Sequence, residues 1–546
     1  MKTKLIAVLA LLCALCLVLT GCGSKDAEPA STEAPKADAD SFAEGVEDKD
    51  FSSLRTPGSQ EAAYEYRSFF QPAIDGIKQP YVGDTMPCYE DGTYYVYYLK
   101  EGGDSYNHSI YLATTKDFVT YTEYDDPIVE SSRGGGQDGW AGTGSVVKGK
   151  DEYLFFYTGH ASAETYEYME KIMLARGSDP THFEKVEDWA ITPPDEIGQK
   201  RDFRDPQAYY DAETDTITMT VTASQDGVAR ILKYTLSGDL SSVTYDGIIF
   251  TNSEGNFWNL ECSDAFRLGD KYYLTYSAQD DTLWYAVSDT PYGPYGEARR
   301  LDGKLFYAAK HVEGPEGAFM VGWARRSESP SSTSEVSGWA GNLAVQKLVQ
   351  KENGDLALAP VEAVTEKYTA RRHLAVESDS IQVQAGSRYG YTEAFTAYES
   401  FLLKGKFTYT GKGCFGLAFD YNGQQDSYKL ITLDPASQKL RLEFNEGSTL
   451  ITETDAALET GKEYAFTVKT LADKQAVSLT LKAAGSIDLA VPGSPVTITA
   501  STKNFHAEQA GFSLSSLCLA KTTEDLSSQF SITSSGNAFT IAAIGE

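Results

Sequence analysis

The feature that most constrains this chain is a repeat. Five short strand-like runs resemble one another: Tyr94-Tyr-Val-Tyr-Tyr98, Tyr153-Leu-Phe-Phe-Tyr157, Thr216-Ile-Thr-Met-Thr220, Tyr272-Tyr-Leu-Thr-Tyr276 and Ala318-Phe-Met-Val-Gly322. Their starts lie 59, 63, 56 and 46 residues apart. Each is followed by a second strand-like run and an acidic turn, ending at Asp117, Asp179, Asp239, Asp289 and Asp355, which are 62, 60, 50 and 66 apart. Two features recurring in phase five times, with several strands per repeat, form the pattern of propeller blades. Few stretches carry a 3.6-residue apolar period, so the expected class is all-β. The reading is a five-bladed β-propeller over residues 59–362. The turn aspartates are expected to be structural, because Asp caps tight turns with its own side chain.

Beyond about Pro360 the phase is lost while alternating strands continue, as in Ser400–Phe407 and Lys439–Phe444. Pro492-Gly-Ser-Pro495 marks a turn between two of them. Residues 363–546 are expected to form a C-terminal β-sandwich.

The N-terminus reads as targeting rather than fold. Lys2 and Lys4 precede an apolar run, Leu5 to Leu19, closed by Leu19-Thr-Gly-Cys22. The order resembles a bacterial lipoprotein signal over residues 1–22, with Cys22 as the lipid anchor. The run is short for a membrane span. Residues 23–58, rich in Ala, Ser, Pro and charge, offer little to bury and read as a tether. The expected location is the extracellular face of the bacterial cell membrane, held by the lipid alone.

Charge narrows the partners. The formal charge of −31 becomes about −33 once Lys2 and Lys4 are removed. Such a surface repels phosphate backbones and anionic headgroups, which argues against nucleic acid and leaves a neutral substrate unaffected. Outside the signal and anchor, Cys88, Cys262, Cys414 and Cys518 are widely scattered, and the six histidines show no ligand spacing. Neither a metal nor a cofactor is expected from these positions.

In a propeller the inner strands surround one axis, so residues at matching positions converge. Counting back 10 residues from Tyr94 reaches Asp84, 11 from Thr216 reaches Asp205, and 11 from Tyr272 reaches Glu261. Blade two has Gly142 at that station and blade five about Ala308. Three carboxylates around an axis suit glycoside hydrolysis, which needs an acid, a nucleophile or base, and a group to steer them. Calcium binding is the other chemistry that three oxygen ligands suit. Arg204 can keep a neighbouring carboxylate ionised, and Glu261 lies among apolar groups whose desolvation would raise its pKa. Asp84 lies in a more polar turn and is expected to stay charged.

The local motifs resemble glycoside hydrolase family 32, the invertases, inulinases, levanases and other β-fructosidases. Arg204-Asp205-Pro206 and Glu261-Cys262 match its second and third motifs. Thr143-Gly144-Ser145 is similar to its Ser-Gly-Ser, and Gly322-Trp323 with Gly338-Trp339-Ala-Gly341 to its late tryptophan segments. The resemblance implies a propeller followed by a sandwich and a retaining reaction on β-fructofuranosidic bonds. It casts Asp84 as nucleophile, Glu261 as acid/base, and Asp205 with Arg204 as the group gripping fructosyl hydroxyls. It implies Trp140, Thr143, Ser145 and Trp323 as substrate-pocket residues. An oligo- or polysaccharide is the implied partner, and the two working carboxyls are expected about 5–5.5 Å apart. One departure stands out. The family's first motif, Asn-Asp-Pro-Asn-Gly after a Trp, is here Gly83-Asp84-Thr85-Met86-Pro87. An inverting furanosidase of the arabinanase type and a non-catalytic glycan-binding lipoprotein are the competing readings.

Overall fold

The computed structural model describes residues 70, 72–73 and 81–365, apart from 102–107, 134, 163–165, 199, 253–255, 281, 303–305, 328–335 and 360. Beyond 365 it describes chiefly strand backbone. The signal, Cys22 and the tether lie outside the described residues, as do the turn at Pro492–Pro495 and the side chains of Cys414 and Cys518.

Residues 81–359 fold as five four-stranded antiparallel blades. Blade one is β1 (Tyr81–Glu90), β2 (Thr93–Glu101), β3 (Ile110–Thr115) and β4 (Tyr121–Glu123). Blade two is β5 (Trp140–Lys148), β6 (Tyr153–His160), β7 (Glu170–Asp179) and β8 (His182–Ile191). Blade three is β9 (Phe203–Asp211), β10 (Thr216–Gln225), β11 (Val228–Ser237) and β12 (Val243–Phe250). Blade four is β13 (Leu260–Leu268), β14 (Lys271–Ala278), β15 (Leu283–Ser288) and β16 (Arg299–Asp302). Blade five is β17 (Phe306–Gly314), β18 (Gly317–Ser327), β19 (Val336–Gln350) and β20 (Leu356–Ala359). The inner strands touch in the order β1, β5, β9, β13, β17 and back to β1. Pairing of β19 with β1, at Val82 opposite Gly341, joins the last blade to the first and closes the ring.

The aromatic runs of the repeat are the second strands, and their position explains their composition. Each is covered on both faces by neighbouring blades, so it reads as an unbroken apolar run. Successive side chains serve opposite interfaces. Phe155 of β6 packs with Tyr97 and Leu112 of blade one, whereas Phe156 packs with Phe203 and Met219 of blade three. Tyr273 and Leu274 divide in the same way between blades five and three. Every inter-blade seam has such a core. Truncating a fully buried Phe155 or Phe156 to Ala would cost about 3–5 kcal/mol.

The acidic turns are structural in varied ways. Asp117 Oδ1 accepts the Val119 and Thr120 N–H groups at 2.9 Å, and Asp179 and Asp239 accept those of Thr181 and Ser241. Asp289 instead pairs with Lys271 at 2.7 Å, and Asp355 with Arg299.

After a short helical turn, Glu362–Thr365, the chain continues in antiparallel strands such as Phe401–Tyr409, Phe415–Asn422 and Lys439–Phe444. They gather into one eight-stranded and one six-stranded sheet.

One irregularity positions the site. Each inner strand carries a bulge against its second strand at the same level, with one extra residue on the inner side. The last paired residues before the bulge are Val82, Gly142, Arg204, Glu261 and Tyr307. Asp205, Cys262 and Ala308 follow directly, with φ of 58°, 53° and 49°, the left-handed region that ordinarily favours glycine. Hydroxyls of the preceding blades pin these bulges. Thr158 Oγ1 accepts the Asp205 N–H and Ser277 Oγ accepts the Ala308 N–H, both at 2.9 Å, while Thr222 Oγ1 donates to the Leu260 carbonyl at 2.7 Å.

Candidate active site

The bulges bring Asp84, Asp205 and Glu261 together, but not at one equivalent position. By register Glu261 matches Arg204, Asp205 matches Cys262, and Asp84 sits one place further on, level with Pro206. Repeat phase located the bulge, and each blade presents a carboxylate from a different residue of it.

The three carboxylates lie close enough to repel one another. Asp84 is part-buried on β1. Its Oδ2 accepts the Thr143 hydroxyl at 2.7 Å and its Oδ1 accepts Trp323 Nε1–H at 3.1 Å. Contrary to the expectation from sequence, its surroundings do not favour charge. Burial pushes its pKa up, the two hydrogen bonds oppose that, and Glu261 adds to the rise. Asp205 is buried and its Oδ2 accepts the Cys262 N–H at 2.8 Å. Burial raises its pKa to about 6, with Arg204 pulling down and Asp84 and Glu261 pushing up.

Glu261 is not among apolar groups either. Its Oε1 accepts Arg204 at 3.0 Å, its Oε2 accepts the Tyr307 hydroxyl at 2.5 Å, and 29% of its side chain is exposed. The flanking apolar residues of its sequence segment point elsewhere: Leu260 packs into the seam between blades three and four. Cys262 is buried and free, its thiol held well above the ordinary value by burial.

Arg204 is the hub. Beyond Glu261 it donates to Asp202 at 2.9 Å and to Glu170 at 3.4 Å. Glu170 also accepts the Phe203 N–H at 2.7 Å and faces His160 Nδ1 at 3.1 Å. Burial works against its charge, but His160, Arg204 and the Phe203 N–H together hold its pKa down to about 2. The exposed indole of Trp258 lies over the guanidinium, 5.5 Å from its carbon. Glu170, Tyr307 and Trp258 escaped the sequence reading. Trp258 stands three residues before Glu261, but nothing local in sequence marks Glu170, which reaches the site from β7.

The remaining candidates divide by position. Thr143 binds Asp84 from the blade-two bulge. Ser145 is buried, and its Oγ accepts the Ala208 N–H at 2.9 Å, tying blade two to blade three. Trp323 is fully buried behind Asp84, and Trp140 is part-buried at the start of β5. Gly83 is required by close approach: a Cβ there would lie 2.2 Å from the Trp339 ring, which stacks on His108 at 4.4 Å. Among the described residues no group of three or more His, Cys, Asp or Glu is arranged to hold a metal.

Residues 84–360 match the glycosyl hydrolases family 32 N-terminal domain, which is half of the chain and contains all three carboxylates. The chain belongs to glycoside hydrolase family 32. A sucrose-6-phosphate hydrolase of Escherichia coli is 31% identical over 241 residues, 40% of this chain and 49% of that one. The chain thus matches about half the length of that relative. A sucrose-6-phosphate hydrolase of Staphylococcus xylosus is 22% identical over 74% of this chain and 82% of its own length. Among solved structures, fructan 1-exohydrolase IIa from Cichorium intybus superposes with a TM-score of 0.65 at 15% identity, covering 88% of this chain and 97% of that one. Exo-inulinase from Aspergillus awamori gives 0.61 at 16% identity over 88% and 98%. At such identities these structures establish the shared fold.

Proposed function

We propose that this family 32 chain is a retaining β-fructofuranosidase acting on fructans or sucrose-like sugars. What carries the reading is the convergence of Asp84, Asp205 and Glu261 on the inner-strand bulges of the matched domain, where Thr143, the Cys262 N–H and Arg204 hold their carboxyls. Asp84 attacks the anomeric carbon, its anion supported by Thr143 and Trp323. Glu261 protonates the departing oxygen, then takes a proton from the water that releases fructose. Asp205 accepts hydrogen bonds from fructosyl hydroxyls. Arg204 and Tyr307 hold the Glu261 carboxyl in place between the two steps.

The preferred substrate is unphosphorylated. The cations beside the carboxylates among the described residues, Arg204 and Lys310, already serve Glu170, Asp202 and Glu261, and the Gly144 carbonyl. The chain's net charge of −31 repels a sugar phosphate further. Incubation with sucrose, inulin and levan tests the activity, with Asp84→Ala and Glu261→Ala as controls. Fructose release that survives both substitutions would sink the assignment. Release with inverted configuration would move the chain to the inverting type, and no release from any fructan would favour glycan binding alone.

The same reading places the enzyme on the outer face of the cell membrane through a lipid on Cys22, and treats residues 363–546 as a β-sandwich. Membrane fractionation of wild type and Cys22→Ala tests the anchor. Retention of the variant in the membrane fraction would refute it.

A further inference from the structure

Asp84 is gripped from two sides. Thr143 of blade two donates to its Oδ2 at 2.7 Å, and Trp323 of blade five donates to its Oδ1 at 3.1 Å. Those blades are not neighbours in the ring, because blade one lies between them. The two donors fix the carboxyl only while blades two and five keep their spacing.

Lys310 joins them. From β17 its ammonium reaches the Gly144 carbonyl of β5 at 2.7 Å, a bond that links the two strands flanking β1. Lys310 and Gly144 stand at the same level, each the first paired residue after its own strand's bulge. Gly144 directly follows Thr143, the unpaired residue of the blade-two bulge. The Thr143 carbonyl is held by Thr158 Oγ1 at 2.9 Å, and Lys310 holds the next carbonyl along. The backbone here is tightly placed: a Cβ on Gly144 would lie 1.9 Å from the Phe156 carbonyl oxygen.

Stability does not explain a lysine at this position. The side chain is buried, and the Gly144 carbonyl is the one hydrogen-bond partner of its ammonium among the described residues. Burying an ammonium with so few partners is unfavourable, and an apolar side chain of like volume would serve a core at least as well. Burial lowers its pKa, and the carboxylates of Asp205, Asp264 and Asp84, on β9, β13 and β1, oppose that and favour the charged donor. We propose that Lys310 is a positioning residue for the nucleophile, bracing blade two against blade five so that Thr143 and Trp323 together hold Asp84 in line for attack. The proposal rests on the nucleophilic role given to Asp84 above.

A double-mutant cycle in the full-length protein tests it. Lys310→Met keeps the volume and removes the donor, and Thr143→Val removes the hydroxyl through which the brace is to act. Lys310→Met should lower kcat for fructose release by about 10- to 100-fold with KM little changed, as a displaced nucleophile would. The double variant should be no slower than the slower single variant, because both changes break one chain of contacts. A kcat near that of wild type, or losses that multiply in the double variant, would overturn the proposal. If Lys310→Met does not fold, Lys310→Gln, which keeps a polar head in the same space, takes its place in the cycle. Failure of both to fold would assign Lys310 to the scaffold and equally overturn the proposal. If wild type releases no fructose, the catalytic reading fails first, and the brace is read from a crystal structure of the variant. Thr143 Oγ1 should there have moved out of hydrogen-bond reach of Asp84 Oδ2, and an unchanged bond would refute the brace.

Discussion

Blades three and five share one backbone device and differ in what it carries. In both, the first bulge residue adopts a left-handed φ, 58° at Asp205 and 49° at Ala308. In both, its N–H is held at 2.9 Å by a hydroxyl from the preceding blade, Thr158 or Ser277. Blade five presents a methyl group there and blade three a carboxylate whose pKa is raised to about 6. The bulge recurs in all five inner strands and is therefore a property of the propeller, on which blade three carries a working side chain and blade five does not. A left-handed alanine costs about 1–2 kcal/mol and persists only because the surrounding seam over-determines it.

The sharpest way to break that comparison is to remove the carboxylates while sparing the bulges. Asp84→Asn and Glu261→Gln preserve shape, so they should lower kcat for fructose release by on the order of 10³-fold or more while leaving the melting temperature near its wild-type value. A loss of activity matched by unfolding would mean that these carboxylates serve the scaffold.

A smaller effect is expected one step away. Glu170 holds Arg204 and the Phe203 N–H just before the blade-three bulge. Glu170→Gln keeps the hydrogen-bonding length but drops the charge, freeing Arg204 to lean on Glu261. The expected loss in kcat/KM is about 10- to 100-fold, from about 1.5–3 kcal/mol for a hydrogen bond to a charged group. A positioning role predicts that the pH profile of kcat shifts with it, because the charge balance around Glu261 changes. A uniform loss at every pH would assign Glu170 to stability alone.

How much of this was legible in the sequence follows from the range of each cause. The blades were readable because strands covered on both faces must be apolar throughout, and the turn aspartates recur with them. Asp84, Asp205 and Glu261 were readable because phase brings every inner strand to one axis. Their environments were not. Leu260 and Cys262 beside Glu261 are buried, yet alternation turns the glutamate itself toward Arg204 and Tyr307, which arrive from blades three and five. Glu170 acts on Arg204 from 34 residues away, and no local pattern encodes that distance. The three carboxylates occupy successive positions of the same bulge, a one-residue difference that a count from strand starts does not resolve.

The comparison between blades three and five also predicts a matched pair. Thr158→Val and Ser277→Ala each leave one buried N–H without its acceptor, so each should cost about 1–3 kcal/mol of stability by denaturant unfolding. Only Thr158→Val should also lower kcat/KM, because only blade three carries a working side chain on the freed residue. Equal effects of both variants on activity would show that the bulges act as one coupled ring.

The smallest effect separates charge from position at Asp205. Its pKa is raised, so its folded form binds a proton more tightly than its unfolded form. The stabilisation this gives is full below about pH 4 and is lost as pH rises through about 6. Asp205→Asn removes that cost of burying a charge while an amide oxygen can still accept the Cys262 N–H. The variant should melt a few degrees higher than wild type at pH 7.5 and no higher at pH 4. Its activity should be poor at both. In the wild-type enzyme the same proton should appear as an acidic limb of kcat/KM near pH 6, since a protonated Asp205 accepts substrate hydroxyls less well. A limb that persists unchanged in Asp205→Asn would belong to Asp84 instead, whose pKa is also raised by burial. The melting difference would still report on Asp205 alone.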